Sequence, residues 1–525
     1  MSLYDWQKEC LELIKDKNAI LSAPTNAGKT RVAYLWMDVK GAVEGRHKII
    51  YTVPIKALAN EKADELAQLY GKEHVGIETG DVKVRENSPI LVCTQEIYTR
   101  KYARKKKNFK VVMDEFHYIF SAKDRARAYI DGIRYAHKSH RLLIMSATLS
   151  KPDRIKTYLE KNTGKDFVLY ETDFRPTKLV FTEKVFTLKD IPPYSLVYVF
   201  NTYAIDRIVR RLTAEYPQLP ILKRRKIQKI AQEFKINVEK FPEVFHGIAK
   251  YHAKLTYTEK RFIERLVREG FISMVFATSA LGVGVNLPFQ WVLFATLKVP
   301  TGRGEQEWLS KIDFVQLAGR AGRKGFFDEG YVGFLKHDYV PYEDFYESYD
   351  HYRTLLVKPL EEPVIKLTVD LEAVVKGHKD FDEEIEYVSK YSEPPLTEEE
   401  VKRLRQWAES VKKTLSGLSE LERTALSKFY LPELELEENI RLAKLIVSRH
   451  AKLYENKRYR VFYSSDLEGF IARDDKVKEL LVIRKIMKTL QGKKFEDTYL
   501  YFEGLEEVEK RIKELDPLLL LSEVG

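Results

Sequence analysis

Residues 23–30, Ala23-Pro24-Thr25-Asn26-Ala27-Gly28-Lys29-Thr30, follow the apolar run Ala19-Ile20-Leu21 and open a helical pattern from Arg31 to Val39. That order predicts a strand, a tight loop and a helix start. The backbone N–H groups of such a loop face an anion, Lys29 reaches the β- and γ-phosphates, and the Thr30 hydroxyl is placed to sit on a Mg²⁺ ion. Loops of this kind begin with Gly; Ala23 takes that place here, a departure of one methyl. The stretch reads as a nucleoside-triphosphate site.

Working outward, residues 1–172 alternate short apolar runs with amphipathic helical stretches. The runs are Ile49 to Val53, Ile90 to Cys93, Val111 to Met113 and Leu142 to Met145, and the longest helical stretch between them is Lys56 to Tyr70. Val- and Ile-rich runs of that length, separated by helices, predict a parallel sheet covered on both faces. Ligands of such sheets bind at the carboxyl ends of the strands. There the sequence places Asp114-Glu115-Phe116-His117, where Asp114 can hold Mg²⁺ through water and Glu115 can orient or deprotonate an attacking water. Ser146-Ala147-Thr148 follows the fourth run.

Phe174-Arg175-Pro176 marks a boundary, because proline disfavours helix at the residue before it. The run Leu196 to Phe200 is expected to start a second sheet, and the basic stretch Pro217 to Phe245, with Lys223-Arg224-Arg225-Lys226, reads as an insertion on that domain. Gln316-Leu317-Ala318-Gly319-Arg320-Ala321-Gly322-Arg323 sets two arginines three apart, suited to the charge that builds on a transferred phosphoryl group. The expected domains are thus 1–172, 173–340 and 341–525. The last is read as a helical accessory region, with helices at Glu398 to Leu415, Ser419 to Phe429, Glu437 to Tyr454, Val477 to Leu490 and Glu503 to Leu515.

The 525 residues suffice for about three domains. Cys10 and Cys93 are too few for a disulfide framework, and no apolar run approaches the roughly 18 residues of a membrane span, so a cytoplasmic protein with no membrane partner is expected. Net charge is +11, unevenly placed: 31 Lys and Arg face 39 Asp and Glu after residue 340, leaving 58 against 39 before it. A positive surplus of that kind suits a phosphate backbone.

The order of motifs resembles the first motor domain of superfamily-two DExH-box helicases. It comprises Ala23 to Thr30, Val53 to Lys62, Thr79-Gly80-Asp81, Thr94-Gln95-Glu96, Asp114 to His117 and Ser146 to Thr148. Pro54-Ile55-Lys56-Ala57-Leu58 and Thr79-Gly80-Asp81 look most like the superkiller-type branch. The resemblance covers about residues 1–340 and implies two tandem RecA-like α/β domains followed by the helical region. It further implies ATP and Mg²⁺ as cofactors, hydrolysis between the domains, 3′-to-5′ movement along single-stranded or partly duplex DNA or RNA, and Gln7 near the nucleotide base. Lys56, Thr79, Gly80, Thr94 and Thr278 would face the nucleic-acid backbone, with Gly284 and Asn286 near the nucleotide. Arg320 and Arg323 would enter from the second domain beside Gln316. Alternatives are the helicase subunit of a CRISPR interference complex acting with a separate nuclease, or a nucleotide-gated clamp that does not unwind. A protein complex through the C-terminal region is a possible partner. Pro300 to Glu307, with the turn Thr301-Gly302-Arg303-Gly304, lies where related helicases carry a strand-separating hairpin. His337-Asp338 is a lone pair without the surroundings of a metal nuclease.

Overall fold

Buried on both faces by helices, the short Val, Ile and Leu runs have no polar alternation to satisfy, and they pair in parallel. In a computed structural model of the chain the described residues are 3–80, 82–121, 123–252, 255–278, 287–300, 306–339, 343–431, 434–447, 451–456, 459–464, 494–495, 498–499 and 510.

The first sheet has eight strands: β1 (Ala19–Ser22), β2 (Lys48–Val53), β3 (Val75–Glu78), β4 (Lys83–Val84), β5 (Ile90–Thr94), β6 (Phe109–Met113), β7 (Arg141–Ser146) and β8 (Val168–Glu171). Their order is β4-β3-β5-β2-β6-β7-β1-β8, parallel except for β4. Ile50 pairs with Leu91 on one side and Val111 on the other, and all three are fully buried. Each such side chain contributes roughly 1.5–3 kcal/mol by leaving water.

The second sheet contains β9 (Lys178–Phe186), β10 (Ser195–Tyr198), β11 (Ile248–Tyr251), β12 (Met274–Ala277), β13 (Trp291–Phe294) and, after a hairpin of β14 (Lys298–Pro300) and β15 (Gln306–Trp308), β16 (Glu329–Leu335). Its order is β11-β12-β10-β13-β16-β9, all parallel. The sheet therefore begins in sequence with the edge strand β9, ahead of the run expected to start it. The stretch read as an insertion is part of this domain, since the helix Ile221–Glu233 buries Ile227, Ile230 and Ala231 in the second core.

The boundary expected at residue 340 lies later. The helix Phe345–Val357 buries Tyr352 and Leu355 in the second core, with the Tyr352 ring 5.5 Å from Phe334 and 5.8 Å from Phe314, and the compact unit runs to Lys366.

The second unit, from Leu367, contains the helices Phe381–Tyr391, Glu398–Ser416, Glu420–Phe429 and Leu436–Val447. Thr397 with Glu400 and Ser419 with Glu422 form capping boxes that satisfy the first amides of two of them. The helix expected to reach Tyr454 ends at Val447, and Ala451–Asn456 pairs antiparallel with Tyr459–Ser464. Lys494–Phe495 and Thr498–Tyr499 form a second antiparallel pair, so the described part of the region is helical with two short two-stranded sheets. The helices expected at 477–490 and 503–515 lie outside the described residues, apart from residue 510, which is helical. Among the described residues, no helix is long and apolar enough to cross a membrane.

Candidate active site

The carboxyl ends of the first sheet collect the motifs. After β1 the chain enters the phosphate loop, where Ala23 N donates to Ser146 O (3.3 Å) and Leu149 N donates to Ser22 Oγ (3.0 Å), so the loop and the Ser146-Ala147-Thr148 turn are tied edge to edge. Asn26 has φ +71° and Gly28 φ +103°. Gly28 precedes the helix Lys29–Trp36 with a backbone conformation that requires glycine, and a Cβ there would come 2.7 Å from Gln7 Nε2 and displace that side chain. Lys29 Nζ donates to Ala23 O (2.6 Å) and Pro24 O (2.9 Å). Burial pushes its ammonium down to about 8, against the pull of Glu115 and Asp114, while Arg320 and Arg175 press in the same direction as burial.

Asp114 follows β6. Its Oδ2 accepts from Tyr51 OH (2.6 Å) and its Oδ1 from Glu115 N (2.9 Å), and burial, then the neighbouring Glu115 carboxylate, raise its pKa. Glu115 sits at φ +54°, a left-handed backbone that costs a non-glycine residue energy and recurs at functional sites. His117 lies with Nδ1 3.4 Å from Glu115 Oε2, yet burial holds its pKa down to about 4, so the approach joins a neutral ring to a carboxylate. Asp313, on the second-domain helix Lys311–Ala318, also faces His117.

That helix carries Gln316, whose Nε2 is buried without a hydrogen-bond partner among the described residues. Glu361 accepts from Lys311 N (2.8 Å) and Ile312 N (3.1 Å) at its start. At its end Gly319 passes so close to the phosphate loop that a Cβ would lie 2.9 Å from Thr25 Cβ, and Asn26 Nδ2 donates to Gly322 O (3.0 Å). The two walls of the cleft therefore touch. Arg320 is among the charges acting on Lys29, whereas Arg323 lies over the Phe326 ring at 5.3 Å.

Arg175 is the residue that sequence reasoning missed, having taken it only as part of a boundary. Its Nη2 donates to Gly319 O and Ala321 O, both at 3.3 Å, on either side of Arg320, and burial pushes it down to about 10. The signal was an arginine before proline in a linker, which says nothing about its partners. Gln7 accepts from Tyr4 N (2.9 Å) and donates to Gly28 O (3.0 Å), so it buttresses the phosphate loop. Tyr4 and Phe174 pack at 4.7 Å beside it, with Lys324 Nζ 4.3 Å above Tyr4.

Of the residues expected along a strand, Lys56 and Gly80 are brought together: a Cβ on Gly80 would lie 3.5 Å from Lys56 Nζ. Thr79 Oγ1 accepts from Val82 N (3.2 Å), closing its turn, and Thr94 ends β5 on the same carboxyl edge. Thr278 follows β12 on the carboxyl edge of the second sheet. Gly284, Asn286 and the turn Thr301 to Gly304 lie outside the described residues. The strands flanking that turn pair Lys298 with Trp308; Glu343 accepts from Leu297 N and Lys298 N, and Trp308 packs on His351 at 4.6 Å. His337 Nε2 lies 2.8 Å from Ala295 O and its Nδ1 accepts from Tyr339 N (3.2 Å), a packing role.

Residues 4–155 match the DEAD/DEAH box helicase family, and residues 221–325 match the helicase conserved C-terminal domain. The chain is similar to putative helicase 7 of a Sulfolobus islandicus filamentous virus, 30% identical over 63% of this chain and 55% of the relative. It is also similar to the DExH-box ATP-dependent RNA helicase DExH15 of Arabidopsis thaliana, 24% identical over 63% and 37%. The ATP-dependent RNA helicase mtr4 of Schizosaccharomyces pombe is 26% identical over 62% and 35%. The chain thus spans between about a third and just over half of the length of these relatives. The phosphate loop, the Asp114-Glu115-Phe116-His117 turn and the arginine-bearing helix end are thus gathered in one cleft, and residues 4–155 and 221–325 carry two helicase domains that support a superfamily-two DExH-box helicase motor.

Proposed function

We propose that this chain hydrolyses ATP in the cleft between its two sheets and uses the cycle to move along one strand of nucleic acid, as a helicase or translocase of the superkiller-type branch. The observation that carries the reading is the convergence of Lys29, Arg175 and Arg320 from loop, linker and second domain around the phosphate loop. Three cations in a largely buried place repel one another, and a triphosphate relieves that repulsion. Lys29, freed from Ala23 O and Pro24 O, turns to the phosphates. Glu115 positions and deprotonates the attacking water, and Arg320 meets the charge developing on the transferred group. Gln316 offers its buried amide to the same centre.

The donor set fits Mg²⁺: Asp114 keeps lone pairs on both oxygens beyond the two bonds it accepts, and Thr30 adds a hydroxyl, which suits an ion that retains waters and binds phosphate oxygens. When bound, the ion supplies charge neutralisation between the phosphates. Because the walls touch through Asn26 and Gly319, nucleotide between them must part or re-seat them, which couples its turnover to the placement of Lys56, Gly80 and Thr278 on the two edges. Movement in the 3′-to-5′ sense follows from the family resemblance.

ATP hydrolysis measured with single-stranded DNA and with RNA, at stated salt, tests the reading. Stimulation by at least one strand type, lost in Lys29→Ala, is expected; equal turnover in Lys29→Ala and the wild type would sink it.

A further inference from the structure

The loop before β6 carries Arg104, Lys105, Lys106 and Lys107 in succession, all exposed. It lies at the amino edge of the first sheet, opposite the carboxyl edge that bears the phosphate loop, Lys56 and Thr94. Its backbone is fastened at several points. His137 N donates to Ala103 O (2.8 Å), His140 Nε2 lies 2.9 Å from Lys105 O, and Ser139 Oγ donates to Lys107 O (2.6 Å). Asn108 O accepts from Lys48 N (3.0 Å). These bonds bring exposed Lys138, before β7, and half-buried Lys48, opening β2, beside the same loop.

Little neutralises this charge. Nearby Lys101 pairs with Glu78 and Arg134 with Asp131, whereas Lys105, Lys106, Lys107 and Lys138 make no ion pair among the described residues. Lys48 is pushed down to about 8, by burial and then by Lys105 and Lys107, a sign of crowded like charge. Holding cations together without counter-ions costs stability. A loop that does so while its carbonyls are pinned presents the charge to something outside the molecule.

The chemistry favours a phosphodiester backbone over a protein. Protein interfaces centre on aromatic and apolar side chains and are depleted in lysine. No large apolar side chain is exposed within 104–108 or 137–141. Arg104 spends its guanidinium face on Tyr135, 3.5 Å from the ring centroid, and Lys105 Nζ lies 4.4 Å above the Tyr102 ring, while Lys106 and Lys107 remain as point charges. Phosphate contacts need nothing more.

We propose that this amino edge is a second nucleic-acid surface, taking the phosphodiester backbone of a duplex outside the cleft through Arg104, Lys105, Lys106, Lys107 and Lys138. The inference rests on charge and topology and on the nucleic-acid part of the function proposed above, and it does not require that the chain hydrolyse ATP. Binding and turnover are therefore read separately.

The test is binding of the full chain to a blunt DNA duplex, which has no single strand to enter the cleft, across a salt series. In the variant K105A/K106A/K107A the slope of log affinity against log salt should fall by about 2–3, with affinity down at least about tenfold. Strand-stimulated ATP turnover should stay unchanged at saturating strand. The variant's melting temperature should equal or exceed that of the wild type, because like charge is removed. Should that variant fold poorly, Lys106→Ala alone should lower the slope by about 1. K105R/K106R/K107R should bind as the wild type does. An unchanged slope in the folded alanine variant, or failure of the wild type to bind blunt duplex, would overturn the proposal. So would competition by polyglutamate as effective as that by duplex, which would give the surface to an acidic polypeptide.

Discussion

The two ends of the first sheet use positive charge in opposite ways. At the carboxyl end Lys29 and Arg175 are half-buried and bonded to backbone carbonyls, Lys29 to its own loop and Arg175 across to Gly319 and Ala321. At the amino end Lys105, Lys106 and Lys107 stand in solvent on a fastened loop. A charge in a low-dielectric cleft interacts strongly with one partner, while an exposed charge is screened within about 10 Å at ordinary salt. The first end is therefore built for chemistry on one ligand, sensitive to single atoms. The second is built for additive, salt-dependent attraction.

Substitutions sharpen that contrast, beginning with the largest expected effect. Glu115→Gln keeps shape and removes the base, and strand-stimulated turnover should fall by about 10²–10⁴, with nucleotide binding retained in a filter or fluorescence assay. A fall of less than threefold would mean that Glu115 does not handle the water. Arg175→Ala strands two carbonyls on either side of Arg320, which should lower stability by about 1–3 kcal/mol in urea unfolding. It should also lower kcat and raise KM for ATP, because the arginine both places Arg320 and adds its charge to the cleft. A raised KM with kcat intact would make Arg175 a ligand-binding residue instead.

The smallest effect concerns Glu61, on the helix Lys56–Tyr70. Burial, then Glu264 on a helix of the second domain, pushes its carboxyl up to about 7 from an ordinary 4.5, while Lys260, Arg320 and Lys62 pull it down. The folded form therefore holds an extra proton between those values. The stability this proton gives is complete below pH 4.5 and lost as pH rises through 7. Glu61→Gln should raise the melting temperature at pH 8 and change it little at pH 4.5; a gain of equal size at both would remove titration as the cause.

Much of this arrangement was legible in the sequence because the physics is local. Apolar runs too short for helices, each followed by polar residues, placed Ala23, Thr94 and Asp114 at strand ends and Lys56 at the helix start after one, and the structure puts them there, whereas Thr79 came only with the family resemblance. Partners distant in sequence were not legible. The stretch from 341 to Tyr352 is acidic and Tyr-rich, and only the second sheet shows that Tyr349 and Tyr352 pack against Phe334 and close that domain. Arg175 gives no local sign of the carbonyls nearly 150 residues away that it holds. The helix expected through Tyr454 failed at Val447, where the β-forming residues around Tyr454, Tyr459, Val461 and Phe462 find each other in a hairpin.

The central claim is that one anion is served from both walls of the cleft, and Arg320→Ala tests it most directly. Steady-state ATP hydrolysis at saturating strand should show kcat lower by about 10³-fold or more, with ATP still bound within severalfold of the wild-type affinity. Turnover equal to that of the wild type would contradict the account, because the second wall would then take no part in the chemistry.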